Sequence, residues 1–200
     1  MRKLSVFSQV SVDGYFCELD GDMSWAHKYD AEWGAFMSEN ASRGGALVFG
    51  RVTYELMASY WPTAAARNAN PVVAEMMTSV PKIVFSRTLS EPSWANSNVI
   101  SDDLAEEVRK MKREPGPEMV ILGSGTIVSQ LTAERLIDAY TIVVNPIVLG
   151  SGRTIFNGVQ EKQDLALKRT RVFDNGNIVL WYEAAPTSLS RTPTPPSSPV

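Results

Sequence analysis

Met119-Val120-Ile121-Leu122-Gly123-Ser124-Gly125-Thr126 is the stretch that decides the fold of this chain. Four apolar residues form a short buried strand, which Gly123 and Gly125 break without a long loop. Ile127, Val128 and Leu131 then fall at helical spacing. A strand that passes into a helix through two glycines lets its backbone approach a ligand closely, and the N–H groups of the first helical turn point at an anion. Ser124 and Thr126 add hydroxyl donors. The run lacks the glycine-lysine-serine/threonine close of a Walker loop and the full dinucleotide fingerprint. It is either a phosphate turn or a tight turn whose glycines serve packing.

Working outward, the same strand-then-helix unit recurs on the N-terminal side. Leu4 to Val12 reads as a buried opening strand that stops at Asp13-Gly14, a turn pair. Cys17 to Met23 is polar and turn-rich and is expected to be a mobile surface loop. A helix is predicted over Asp30 to Ser42, with Trp33, Phe36 and Met37 on one face. Ala46 to Phe49 is a second strand ending at Gly50, followed by a helix from about Thr53 to Tyr60. Ala64 to Asn70 reads as a loose segment, Pro71 to Met77 as a short helix begun by proline, and Pro81 to Ser86 as a third strand. Glu91 to Asn98 is expected to be loop. Ser101 is the expected cap of a helix whose buried stripe is Leu104, Val108 and Met111.

On the C-terminal side, Ala139 to Val144 is a further strand closed by Asn145-Pro146. Leu165 to Phe173 and Ile178 to Tyr182, joined through Asp174-Asn175-Gly176-Asn177, predict an antiparallel hairpin. The expected fold is α/β: a three-layer αβα sandwich whose central sheet is mostly parallel and ends in that antiparallel C-terminal hairpin. One domain is expected over residues 1–185, with a Pro/Ser/Thr-rich tail over 186–200 that cannot build a core of its own.

Ligands of open α/β sheets bind outside the carboxyl ends of the parallel strands. Three such ends carry donors here: Gly50, Arg51 and Thr53; Ser86 and Arg87; and Gly123, Ser124, Gly125 and Thr126. Arg51 either serves a phosphate, which suits its forked guanidinium, or pairs with Glu55 one turn on. Ser86-Arg87-Thr88 is either part of the same donor set or a solvated basic loop. Asp13 directly follows the first strand, and its carboxylate either faces a ligand cleft or caps the turn at Gly14.

Composition limits the alternatives. The 200 residues hold 19 basic and 22 acidic side chains, a balance that gives no general pull toward nucleic acid or acidic membranes. Cys17 is the one cysteine and His27 the one histidine, so neither an intrachain disulfide nor a multi-histidine or multi-cysteine metal site is expected. The N-terminal stretch is too interrupted for a signal-peptide core, no long apolar run follows, and the protein reads as cytoplasmic. There is no nucleophile elbow and no Cys-His pair, so hydrolysis has little support.

Taken in order, FSQVSVDGYF, the tryptophan of MSWAH, LVFGRVTYE, KIVFSRT, VILGSGTIVSQL and NPIVLGSGRTIF resemble the dihydrofolate-reductase-like superfamily. They are most similar to the C-terminal reductase domain of bacterial riboflavin-biosynthesis deaminase-reductases and its stand-alone relatives, over about residues 2 to 184. The resemblance implies an NADPH-dependent oxidoreductase acting on a small heterocycle, similar to 5-amino-6-(5-phosphoribosylamino)uracil reductase, and a homodimer. By it, Gly50, Arg51 and Thr53 match positions holding adenosine-side phosphate, and Ser86 and Arg87 lie beside adenine and its 2′-phosphate. Gly123, Ser124, Gly125 and Thr126 form the pyrophosphate turn. Val12, Asp13 and Gly14 line nicotinamide and substrate, with Asp13 the catalytic candidate. Trp25 and Arg153 stand on the substrate side. A dihydrofolate reductase would need a carboxylate on the first helix, for which Asp30 and Glu32 are the choices. No zinc-ligand signature of a deaminase domain occurs. The remaining reading is a non-catalytic nucleotide-binding or regulatory protein.

Overall fold

The computed structural model describes residues 1–28 and 30–185; the Pro/Ser/Thr-rich tail lies outside them. Eight strands form one sheet: β1 (Leu4–Ser11), β2 (Ala46–Gly50), β3 (Lys82–Phe85), β4 (Ser97–Ile100), β5 (Met119–Leu122), β6 (Ala139–Asn145), β7 (Leu165–Val172) and β8 (Ile178–Ala184). Their order across the sheet is β4-β3-β2-β5-β1-β6-β8-β7. The first six are parallel, and β8 and β7 finish antiparallel. Among the described residues there are six α-helices: α1 (Ala31–Ser42), α2 (Arg51–Tyr60), α3 (Ala64–Ala69), α4 (Pro71–Ser79), α5 (Leu104–Arg113) and α6 (Gly125–Ala133).

The burial pattern explains the layers. β2 and β3 are apolar runs enclosed on both faces, while β1 alternates along its length. Leu4, Val6 and Val10 of β1 face one side, with Val108 and Met111 of α5 and Ile127, Val128 and Leu131 of α6. On the opposite side Phe49, Val84 and Trp94 meet Tyr54 of α2 and Val73 and Met77 of α4. There Trp33 and Phe36 of α1 also pack on Val143, Val179 and Phe173. The result is the expected αβα sandwich, mostly parallel with an antiparallel C-terminal hairpin.

Four local expectations are corrected. Ser97–Ile100, inside the expected loop and just past it, is the edge strand β4, held by parallel pairing with β3 from Lys82↔Ser97 to Phe85↔Ile100. The loose alanine segment folds as α3, because Thr63 caps it by accepting from the Ala66 N–H at 3.2 Å. Asp103, not Ser101, caps α5, accepting from the Glu106 N–H at 3.0 Å. α2 begins two residues early, at Arg51, which brings Thr53 into its first turn.

Candidate active site: a row of strand ends

Because β1 to β6 are parallel, their carboxyl ends share one edge of the sheet. The order of the strands arranges the following residues in a row: Ser101 and Asp102, Ser86 and Arg87, Gly50 and Arg51, Gly123 to Thr126, Val12 and Asp13, then Pro146. Two clefts border this edge, the larger continuing along the sheet face to Gly45 and Glu118 at the amino ends of β2 and β5. The larger, about 2270 Å³, has Gly50, Arg51, Thr53, Gly123, Ser124, Gly125, Thr126 and Arg153 on its walls. The smaller, about 480 Å³, lies over β3 and β4 and takes in Ser86 and Arg87. Phe85, Ile127, Gln130 and Ala133 border both, so the clefts adjoin.

The glycine turn is built by two left-handed residues in succession. Gly123 has φ +56° and Ser124 φ +55°, a conformation cheap for the first and costly for the second. Ser124 is held there by its hydroxyl, which accepts from the Gly50 N–H at 3.1 Å and donates to the Leu122 carbonyl at 3.2 Å. One buried serine thus ties the ends of β2 and β5 together. The α6 helix starts immediately after it, and Gly125, Thr126 and Ile127 have no intrahelical acceptor for their N–H groups. A Cβ at Gly123 would sit 3.4 Å from Thr53 Cγ2, and one at Gly125 only 2.8 Å from the ring of Phe16. The turn is therefore a backbone cradle bounded by Thr53 on one side and by an aromatic ring on the other.

Arg51 pairs with Glu55, its Nη1 donating to both carboxylate oxygens at 2.8 and 3.1 Å. With its side chain 43% exposed, the pair is a weak surface contact that a dianion at the helix start competes for readily. The Ser86 hydroxyl accepts from the Thr88 and Leu89 N–H groups, a local turn that leaves Arg87 at its tip. Ahead of β4, the Trp94 N–H donates to the Tyr54 hydroxyl at 2.9 Å. The buried Lys82 ammonium lies 4.5 Å from the Trp94 ring and donates to the Thr78, Val80 and Ala95 carbonyls. Burial alone pushes this amine down to about 8.

The surface loop expected over 17–23 is tied down at its start, through Cys17 and Leu19, together with residues 12–16 before it. Residues 12–19 are joined to residues 147–153 by a series of bonds: Val12 N–H to Ile147 O, Phe16 N–H to Arg153 O, and Arg153 N–H to Cys17 O, at 2.8 to 2.9 Å. The Arg153 guanidinium reaches the Leu19 carbonyl. Gly152 is required for this closeness, since a Cβ there would run into the Cys17 carbonyl oxygen. Asp13 belongs to the same clamp. Its carboxylate accepts from the Leu149 and Gly150 N–H groups at 3.1 and 2.7 Å. The Ser11 hydroxyl first, then these two N–H groups, hold it down to about 2.

Val12, Asp13, Gly14 and Trp25 are not on the wall of either cleft. Trp25 is buried, in a single 3-10 turn over Ser24–Ala26. Of the two acids on the first helix, Asp30 caps α1 by accepting from the Trp33 N–H at 2.7 Å. Glu32 is paired with Arg171 and with the Asp174 N–H. Residue reading missed Phe16, which packs on the glycine turn, and Phe7, Trp33, Met37 and Trp181, which line the large cleft on its α1 side. Only the odd-numbered alternation of β1 hinted at Phe7. Among the described residues no group of three or more histidines, cysteines or acids could hold a metal ion, and no helix is long and apolar enough to cross a membrane.

Residues 2–179 match the family model of the RibD C-terminal domain. Uncharacterized protein YyaP of Bacillus subtilis (strain 168) is 25% identical over 181 residues, which takes in 90% of this chain and 94% of YyaP. YwjB of the same organism is 26% identical, over 86% of this chain and 92% of its own. Among solved structures, a Shewanella sp. PV-4 protein, itself only provisionally assigned to riboflavin biosynthesis, superposes with a TM-score of 0.70. Its identity is 22%, with 92% of this chain and 99% of that one covered. The diaminohydroxyphosphoribosylaminopyrimidine deaminase/5-amino-6-(5-phosphoribosylamino)uracil reductase of Thermotoga maritima gives a TM-score of 0.65 at 14% identity. There the match takes in 92% of this chain but 57% of the other. These likenesses carry the fold.

Proposed function

The chain belongs to the RibD C-terminal domain family, and from that membership we propose that it is an NADPH-dependent reductase of a small heterocyclic substrate. The observation that supports this most is the cradle of Gly50, Thr53 and Gly123 to Thr126, set at the middle of a row of strand ends. A pyrophosphate fits such a cradle: backbone N–H groups at a helix start, no carboxylate on the turn itself, and glycines where a Cβ would fill the space. In this reading Arg51 and Thr53 hold phosphate from the β2 side, and Arg87 meets the adenosine end. When bound, the reduced dinucleotide supplies the hydride.

The protein's part is orientation and the exclusion of water. Phe16 closes over the glycine turn. Arg153, Gly152 and Asp13 hold the 12–19 loop so that this ring stays in place. Asp13, with its carboxyl held at about 2, is ionised at neutral pH and acts as a positioning residue, not as the proton donor. Asp30 and Glu32 are committed to the helix cap and to Arg171, which leaves the dihydrofolate reductase reading without its carboxylate. The proton then comes from water in the cleft. The apolar wall of Phe7, Met37 and Trp181, backed by the buried Trp33, suits a planar ring. The reading also includes a cytoplasmic location and a homodimer, for which the edge strand β7, exposed over nearly its whole length, offers a pairing face.

Fluorescence titration tests the cofactor directly. NADPH is expected to bind and to show energy transfer from protein tryptophan, and absence of binding at high micromolar concentration overturns the proposal. Oxidation of bound NADPH is then followed with 5-amino-6-(5-phosphoribosylamino)uracil, dihydrofolate and related pterins. Tight NADPH binding with no oxidation by any of them favours the non-catalytic reading, for which the commitment of both first-helix carboxylates, Asp30 and Glu32, speaks.

A further inference from the structure

The smaller cleft carries a mixed charge that a site built only for a 2′-phosphate would not have. Its charged residues are Arg87, Asp102, Asp103 and Glu134. Asp103 is spent on the α5 cap, and Glu134 on Arg109, 2.5 Å away. Arg87 and Asp102 enter no ion pair or side-chain hydrogen bond among the described residues. The sheet sets them side by side: Phe85 pairs with Ile100, and the Ser86 N–H donates to the Ile100 carbonyl at 3.0 Å. Two residues beyond each strand end, a guanidinium and a carboxylate therefore stand at one mouth. Arg87 stands on the turn closed by the Ser86 hydroxyl, and Asp102 directly precedes Asp103, the cap of α5.

The two groups ask for different ligands. A guanidinium favours a 2′-phosphate dianion, whereas a carboxylate accepts from a free ribose 2′-hydroxyl and repels that dianion. Resting on the dinucleotide reading above, we propose that Asp102 is a cofactor-selecting residue. It receives the adenosine ribose hydroxyls and offsets Arg87, so that the chain accepts NADH as well as NADPH instead of rejecting it. Cofactor choice is then set by a pair of opposed charges at the ends of β3 and β4, not by the glycine turn, which touches only what the two dinucleotides share.

Dissociation constants for both dinucleotides, measured by fluorescence on the full chain and on Asp102→Asn and Arg87→Gln, test this. Both side chains are exposed, and thermal melts check that the variants fold. The wild-type constants are expected to lie within about tenfold of each other. Asp102→Asn should tighten NADPH about threefold to tenfold, the size of one screened charge contact, without tightening NADH. Arg87→Gln should weaken NADPH by a similar factor and spare NADH. The gain in Asp102→Asn should shrink at high salt. If wild type binds NADPH but Asp102→Asn shifts both dinucleotides equally, or neither, the selecting role is overturned and the dinucleotide reading stands. If wild type binds neither, the dinucleotide reading itself falls.

Discussion

Leu122-Gly123-Ser124-Gly125 and Leu149-Gly150-Ser151-Gly152 are the same four residues put to different work. In each, the first glycine takes a positive φ, +56° and +75°. The last glycine of each meets a different neighbour. At Gly125 it is the tip of the Phe16 ring, which can rotate away, and at Gly152 a backbone carbonyl, which cannot. Gly125→Ala should therefore cost only about 1–2 kcal/mol. It should weaken NADPH binding by displacing Phe16, and Phe16→Ala in the same chain should remove most of its stability penalty; a double-mutant cycle by chemical denaturation reads this coupling. Gly152→Ala should cost more, about 3 kcal/mol or above, with no such rescue. Asp13 gives a pH-dependent counterpart. Its carboxyl is lowered from 3.8 to about 2, so its stabilising contribution is complete above 3.8 and is lost as pH falls through about 2. Acid unfolding of Asp13→Asn should lack that component, which wild-type and variant melts between these two values would expose.

Elements were legible where periodicity was strong and obscure where partners decided. β1, β2, β5 and the C-terminal hairpin follow from apolar runs and turn residues in their own sequence. β4 does not: Ser97-Asn98-Val99-Ile100 holds two polar residues in four, and only pairing with β3 makes it a strand. At α5, two plausible caps lie two residues apart, and only the geometry separates them. Asp103→Ala should cost about 1 kcal/mol, and Ser101→Ala less than about 0.5, a difference that urea denaturation resolves. Lys82 opens β3 although it is only 1% exposed, because three carbonyls and the Trp94 face receive its ammonium. Lys82→Met should destabilise by about 2–4 kcal/mol, since it leaves those carbonyls buried without a donor. At the site, the three donor-bearing strand ends were visible in the residues, but their order was not. Only the sheet places Arg87 beside Asp102 and Ser124 beside Gly50.

At the scale of the whole molecule, sedimentation equilibrium should return a dimer for the full chain, and a monomer at working concentrations would remove that part of the functional reading. The sheet has a further consequence. Its central strand, β1, is the first to be made, yet its two neighbours β5 and β6 begin more than a hundred residues later, as the pairs Leu4↔Met119 and Ser5↔Ala139 record. The roof over the cleft has the same span, from Phe16 to Arg153. On the ribosome, the opening strand must wait, apolar and unpaired, until most of the chain has emerged, which makes folding slow and the nascent chain a customer for chaperones. The turn residues 123 to 126 leave the tunnel before the segment that roofs them, so the finished cleft arrives late and all at once.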